Sequence, residues 1–333
     1  MKDRMEKRRM IMSRTPLRIT FVGGGTDLPE FYRKYGPGVA IASAISKYIY
    51  ITVHKRFDES IRVAYSRTEI VDSVDEIQHP SVREALKLLN IDGGIEITNI
   101  ADIPSGGTGM GSSSSFLVGL LNALHAWKGE YATQKQLAEE AVEIERNILK
   151  EPGGVQDQYI AAFGGMQFLE FRRDNSVAST PVIMSEGSRK QLKEHLILLY
   201  TGTQKSGSGI HEKMAKTVKD NLDAYRKMVS LGYEMFSDLT KNNWQSAGRY
   251  LHENWMLKKA THGLDDASID DYYNRGLKAG AEGGKILGAG NRGFLMLFAK
   301  PEKHEGIIKA LPELKPMSFD LEPLGSRIIY VGD

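Results

Sequence analysis

The chain has 333 residues, of which 41% are apolar and 26% charged, enough for one large or two medium domains around a sizeable core. A formal net charge of +2 is too near balance for a general nucleic-acid or membrane-surface partner, and no run reaches the roughly 20 apolar residues that span a bilayer. The lack of cysteine excludes disulfides, zinc–thiolate centres and a cysteine nucleophile, and the basic start has no signal-like apolar core. The expectation is a cytoplasmic monomer or homodimer working on small molecules.

From Ser13 to about Phe171, strand-like runs alternate with glycine turns. Pro16 to Val22 runs into Gly23-Gly-Gly25. Tyr48 to Val53 and Ile61 to Tyr65 flank a charged turn and read as a hairpin. Ile95 to Ile100 is a strand leading into Pro104-Ser-Gly-Gly-Thr-Gly-Met-Gly-Ser-Ser-Ser-Ser115, after which Phe116, Leu117, Leu120, Leu121 and Leu124 recur at helical spacing. A second helix is predicted from Thr133, which has capping-box spacing to Gln136, as far as about Lys150, where Glu151-Pro-Gly-Gly154 ends it. Met166 to Phe171 is a strand. The polar stretch from about Arg172 to Lys193 suggests domains over 13–185 and 186–333. Beyond it come a strand at Leu196 to Tyr200, a helical region from about Ser208 to His262, a helix around Ile269 to Glu282, and a glycine run from Gly283 to Gly293. The strands Phe294 to Phe298 and Arg327 to Val331 close the chain.

The loop at 104–115 carries the first chemistry. Converging glycine amides, serine hydroxyls and the positive end of the following apolar helix make an anion site suited to nucleotide phosphates. It lacks the Gly-Lys-Ser/Thr of a Walker loop. Gly288-Ala-Gly-Asn-Arg-Gly293 matches the dinucleotide pattern literally but precedes a strand-like run, the reverse of that motif's context. On the helix from Thr133, the residues Leu137, Ala138, Ala141, Ile144, Ile148 and Leu149 form an apolar stripe. Glu145 falls inside it, so its carboxylate needs Mg²⁺ or a neighbouring Lys or Arg beside it. Asp157, after the helix-ending turn, either accepts a proton from a substrate hydroxyl or caps its loop. Arg18 is either an exposed strand cation or a fixed charge for transferring phosphoryl oxygens. Asp27 binds sugar hydroxyls or caps a helix from Pro29.

These segments, in this order, resemble the three motifs of the GHMP small-molecule kinases, the family of galactokinase, homoserine kinase and mevalonate kinase. The resemblance implies an α+β, two-domain GHMP kinase fold, with a ribosomal protein S5 domain 2-like N-terminal domain and a ferredoxin-like C-terminal domain. It implies that Pro104, Gly106, Gly107, Gly109, Met110, Gly111, Ser112, Ser113 and Ser114 bind ATP. It further implies that Ser113 and Glu145 share Mg²⁺, that Asp157 is the catalytic carboxylate and that Arg18 is the catalytic cation. Gly24, Gly25, Thr26, Asp27, Gly154, Thr201, Gly202, Gly288, Ala289 and Gly290 would surround the substrate. Gly24-Gly25 stand where galactokinase has Glu-His, which argues against galactose. The third motif departs from the family's glycine run with Asn291-Arg292, which tightens the loop or brings Arg292 to a phosphate.

Within the family, Arg-Thr-Pro-Leu-Arg18, Gly-Gly-Gly-Thr-Asp-Leu-Pro29 and Gly-Gly-Val-Gln-Asp-Gln-Tyr159 most resemble the kinases of D-glycero-D-manno-heptose 7-phosphate. Those enzymes phosphorylate the anomeric hydroxyl of a sugar phosphate for nucleotide-activated heptose synthesis. Arg14 and Lys205 are the candidates for holding the sugar's own phosphate. The competing expectations are a galactose- or fucose-type kinase, an NAD(P)-dependent oxidoreductase using Gly288 to Gly293, and a non-catalytic sugar sensor.

Overall fold

The computed structural model describes residues 10–104, 108–202, 208–290 and 292–332. In chain order the first half comprises β1 (Ile11–Val22), α1 (Pro29–Tyr35), β2 (Gly38–Lys55), β3 (Ile61–Ala64), β4 (Thr68–Val71), α2 (Pro80–Leu88), β5 (Ile95–Ala101) and α3 (Ser112–Lys128). It continues through α4 (Gln134–Val142), a π-helical turn (Glu143–Ile148), α5 (Gln156–Phe163), β6 (Met166–Phe171) and β7 (Val177–Pro181). The second half holds α6 (Glu186–Glu194), β8 (Leu196–Gly202), α7 (Ser208–Thr217), α8 (Leu222–Thr240), α9 (Ala247–His262) and α10 (Ala267–Lys278). After these come β9 (Gly283–Ile286), β10 (Gly293–Phe298), α11 (His304–Ala310), β11 (Lys315–Met317) and β12 (Arg327–Val331). The expected mixed fold is present. The expected helical region at 208–262 consists of three helices, with breaks at 218–221 and 241–246.

The first sheet runs β12-β1-β2-β5-β3-β4, with β6 and then β7 added along the other end of the long β2. Here the hairpin expectation fails. β2 and β3 are not paired, because β5 lies between them, antiparallel to β2 and parallel to β3. Ile49, Ile51 and Val53 on β2, Ile61 and Val63 on β3 and Ile95 and Ile97 on β5 are all buried, so three apolar strand faces meet and the later one takes the central place. The charged turn at 56–60 therefore crosses over a strand instead of closing a hairpin. Ser13 Oγ donates to Gly119 O at 2.8 Å and Ser115 Oγ to Pro16 O at 2.9 Å, which seats α3 across β1.

The second sheet has the order β11-β8-β10-β9 and is antiparallel throughout. Numbered by sequence this is 4-1-3-2 within a β-α-β-β-α-β chain path, the ferredoxin-like arrangement. Its two central strands are buried on both faces, which is why they read as unbroken apolar runs. Leu196, Leu198, Met296 and Phe298 face the core shared with the first sheet; Ile197, Leu199, Leu295 and Leu297 face a second core with Trp255, Ile269, Tyr273 and Ile307. The last strand, β12, returns to the first sheet and pairs with β1 from Ile11 to Arg14. The two sheets are therefore not separated by any single cut in the sequence.

Candidate active site

A cavity opens where β1, α5, α9 and β9 meet. On its wall Arg18 is 5% exposed and makes a bidentate pair with Asp157: Nε donates to Oδ1 and Nη2 to Oδ2, each at 2.7 Å. Its remaining Nη1 donates to Gly109 O at 2.5 Å, and its backbone amide donates to Met110 O at 3.1 Å. One arginine thus locks the first strand, the start of α5 and the glycine loop before α3 into fixed relation. Met110 itself is buried in the core, so it offers that loop backbone rather than side chain.

Gly111 caps α3, and the first turn of that helix presents Ser112, Ser113 and Ser114. Glu145 is 1% exposed; its Oε1 accepts from Ser113 Oγ at 3.0 Å, and its Oε2 accepts from Ser114 Oγ at 2.9 Å and from Gln158 Nε2. Arg146 Nη2 stands 3.7 Å from Oε2. The carboxylate predicted from the apolar stripe is thus buried beside the anion loop. Thr133 accepts from Gln136 N at 3.1 Å, as its spacing predicts. The stripe itself breaks down further on, because the π-helical turn takes in an extra residue and rotates the positions after it. Ile148, expected inside, is 42% exposed.

Asp27 is 2% exposed and accepts from Gly25 N at 2.8 Å through Oδ1, and from Gln156 Nε2 at 3.1 Å and Gln156 N at 3.4 Å through Oδ2. It does not cap α1, whose N-cap is Leu28 without a side-chain bond. Thr20 Oγ donates to Gln156 Oε1 at 3.0 Å, extending the chain of contacts back to β1. Gly154 makes this possible: a Cβ there would stand 1.7 Å from Asp27 Oδ2. Gly154→Ala is expected to displace the Asp27 carboxylate, costing about 1–3 kcal/mol of stability and at least about tenfold in kcat/KM. Thermal melting and steady-state kinetics on the purified variant check both.

The glycine run of the third motif packs backbone to backbone on the first loop: a Cβ on Gly288 would come within 2.4 Å of Gly109 Cα. Part of that run, Gly283 to Ile286, is strand rather than loop, and β10 rather than a helix comes after it, so the dinucleotide-binding reading has no support.

Two buried lysines at this site escaped the sequence reading. Lys258 on α9 and Lys285 on β9 are each 1% exposed and line the same cavity. Lys285 Nζ donates to Phe21 O at 3.2 Å, Gly23 O at 3.4 Å and Asn254 Oδ1 at 2.5 Å; Lys258 Nζ donates to Ile286 O at 3.4 Å and to Gly288 O. Burial, and after it the Arg18 charge, pull Lys258 down to about 7, against the opposing effect of Asp27 and Asp157. Burial, followed by Lys258 and Arg18, holds Lys285 well below the usual lysine range. A signal for Lys258 was available: Leu251, Asn254, Trp255, Lys258, Thr261 and His262 share one buried helical face.

The remaining candidates are dispersed. Gly24, Gly25 and Gly288 line the cavity. Thr26 is fully buried and donates to Val39 O at 2.6 Å, bracing the turn from behind. Thr201 Oγ accepts from Gly293 N at 3.1 Å, a tie between β8 and β10, and neither it nor Gly202 nor Ala289 lines the cavity. Gly290 and Pro104 border other depressions. Arg14 is not brought to the cavity; its guanidinium lies over the Tyr48 ring, 4.4 Å from the centroid. Arg292 pairs with Asp266 at 3.8 Å. Gly106, Gly107, Lys205 and Asn291 lie outside the described residues.

Residues 80–165 match the model of the GHMP kinases N-terminal domain. Over 325 residues the chain is 30% identical to D-glycero-alpha-D-manno-heptose 7-phosphate kinase of Campylobacter jejuni, covering 90% of this chain and 93% of that one. Among solved structures it resembles a putative sugar kinase from Campylobacter jejuni, with a TM-score of 0.76 at 26% identity over 96% of this chain and 98% of that one. It also resembles a D-glycero-D-manno-heptose 1-phosphate kinase from Bacteroides thetaiotaomicron, with a TM-score of 0.80 at 24% identity over 97% and 100%. The buried Glu145, the Arg18–Asp157 pair and the interlocked glycine loops are thus set in the fold that these likenesses share, and the chain belongs to the GHMP kinases, ATP-dependent phosphotransferases with an alcohol group as acceptor.

Proposed function

We propose that this enzyme transfers the γ-phosphate of ATP to the anomeric hydroxyl of D-glycero-D-manno-heptose 7-phosphate, giving the 1,7-bisphosphate. The observation that carries the reading is the bidentate Arg18–Asp157 pair on the cavity wall, beside the N-terminus of α3. Asp157 accepts the proton of the attacking hydroxyl. Arg18 fixes that carboxylate through two of its nitrogens and lends positive charge to the transferring phosphoryl oxygens. Serine hydroxyls and amides at the start of α3 receive the ATP phosphates. Heptose 7-phosphate as the acceptor draws support from the similarity to the Campylobacter jejuni enzyme and from Gly24 on the cavity wall, where a Cβ would meet nothing closer than Lys258 Nζ at 3.9 Å.

Ser113 and Glu145 suit Mg²⁺: a buried carboxylate beside a hydroxyl is a hard-oxygen donor set that phosphate oxygens complete. When bound, the ion neutralises charge on the β- and γ-phosphates. ADP release is expected to cease in excess EDTA and to return with added Mg²⁺; undiminished turnover in EDTA would remove the ion from the scheme.

The acceptor is tested by ADP release from ATP over heptose 7-phosphate, unphosphorylated heptose, galactose and fucose. The expected result is a kcat/KM highest for the heptose phosphate. A higher value for galactose or fucose overturns this reading of the acceptor and leaves the phosphotransferase assignment standing.

A further inference from the structure

Lys258 and Lys285 end in the same cavity wall, but their hydrogen-bond counts differ. An ammonium group has three N–H donors. Lys285 Nζ has three acceptors, Phe21 O, Gly23 O and Asn254 Oδ1, enough to engage every N–H it carries, and so ties β9 and α9 to the end of β1. Lys258 has two acceptors among the described residues, Ile286 O and Gly288 O, which leaves one N–H without a partner in a group that is 1% exposed. A buried charged donor left unpaired is costly, and a ligand oxygen removes that cost.

The surroundings say what kind of oxygen it is. The carboxylates nearby are already engaged: Asp27 by Gly25 and Gln156, and Asp157 by Arg18. Arg18, Arg146 and Lys258 outnumber these two acids on the cavity wall, so the complementary ligand is anionic. Access runs past Gly24. A Cβ at that position would stand 3.9 Å from Lys258 Nζ, so a side chain growing from it would cover the ammonium. Glycine keeps the approach clear.

We propose that Lys258 donates its remaining N–H to a phosphate oxygen of the acceptor, across the opening that Gly24 leaves. This rests on the sugar-phosphate reading above and adds to it the residue that tells a phosphorylated sugar from a plain one. A sugar without the phosphate leaves the buried ammonium unpaired, and sites of this kind discriminate strongly.

The deciding measurement is a ratio: kcat/KM for heptose 7-phosphate over kcat/KM for the unphosphorylated heptose, in wild type and in Lys258→Met. The ratio is expected to fall about tenfold to a hundredfold in the variant, with KM for ATP little changed. A purely structural role, holding the carbonyls of Ile286 and Gly288, lowers both values together and leaves the ratio alone, which overturns the proposal. So does a rise in KM for ATP at an unchanged ratio, since the phosphate served would then be the nucleotide's. A wild type without preference for the phosphorylated sugar defeats the sugar-phosphate reading; a preference that survives in Lys258→Met defeats only the role of Lys258.

Should the variant fail to fold, the wild type supplies the test through the pH dependence of heptose 7-phosphate binding. The groups facing Lys258 are Arg18 on β1, Asp27 in the turn, Asp157 on α5, His262 on α9 and Lys285 on β9. A phosphate monoester is already a dianion above its second pKa of about 6, whereas Lys258 gives up its proton as the pH rises past about 7. Affinity is expected to weaken between pH 7 and 9 by up to about tenfold per unit. Affinity that stays flat across that window overturns the proposal.

Discussion

Asp157→Asn is expected to lower kcat by about a hundredfold or more while leaving KM for ATP within about threefold. The substitution keeps the shape of the side chain and removes its capacity to accept a proton. It also disturbs the pair with Arg18. The native carboxylate offers one oxygen to Nε and one to Nη2, both at 2.7 Å. An amide has an oxygen for only one of them and turns an NH₂ towards the other, so a donor faces a donor. The Arg18 bond to Gly109 O does not involve Asp157 and continues to anchor the glycine loop, which is why nucleotide binding is expected to persist. Single-turnover kinetics with heptose 7-phosphate, together with ATP binding measured by calorimetry, separate the two effects. Unchanged turnover in a folded variant removes Asp157 as the proton acceptor.

Glu145→Gln is expected to lower kcat/KM for MgATP by about a hundredfold and to move the Mg²⁺ requirement to higher concentration. Glutamine keeps one oxygen acceptor but brings no charge; its NH₂ either faces the Gln158 NH₂ or turns a serine hydroxyl from donor into acceptor. Fold stability is expected to change little, because the variant weakens the hydrogen bonds that a charged acceptor makes and also avoids burying that charge. The informative readout is the Mg²⁺ concentration for half-maximal rate. If it does not move in a folded variant, Glu145 is a structural acceptor for the α3 serines and no ligand.

The site was legible where chemistry and periodicity coincided. Glu145 stood out because a carboxylate lay in an apolar helical stripe, and the structure buries it at 1% exposure. Lys258 sits in a stripe of the same kind and could have been found by the same reasoning, but the run around it contains Lys259, Thr261 and His262 and reads as polar. Lys285 gave no such signal. It lies in a four-residue strand whose glycines at 283 and 284 look like loop, and its burial is fixed by β1 and α9, both far away in sequence. Long-range partners also decided the strand order. Nothing local to Tyr48–Tyr65 reveals that a strand from residues 95–101 separates β2 from β3. The π-helical turn at Glu143–Ile148 is a further case, since it shifts the helical phase without any glycine or proline to mark it.

The pairing of β12 with β1 has a consequence for biosynthesis. Arg18 lies on the strand whose first residues, Ile11 to Arg14, hydrogen-bond to the chain between Arg327 and Val331. During translation that edge of the first sheet has no partner until residues 327–331 have left the ribosome. The nascent N-terminal half therefore emerges with an exposed strand edge that is open to mispairing. The strand that carries Arg18 is completed last.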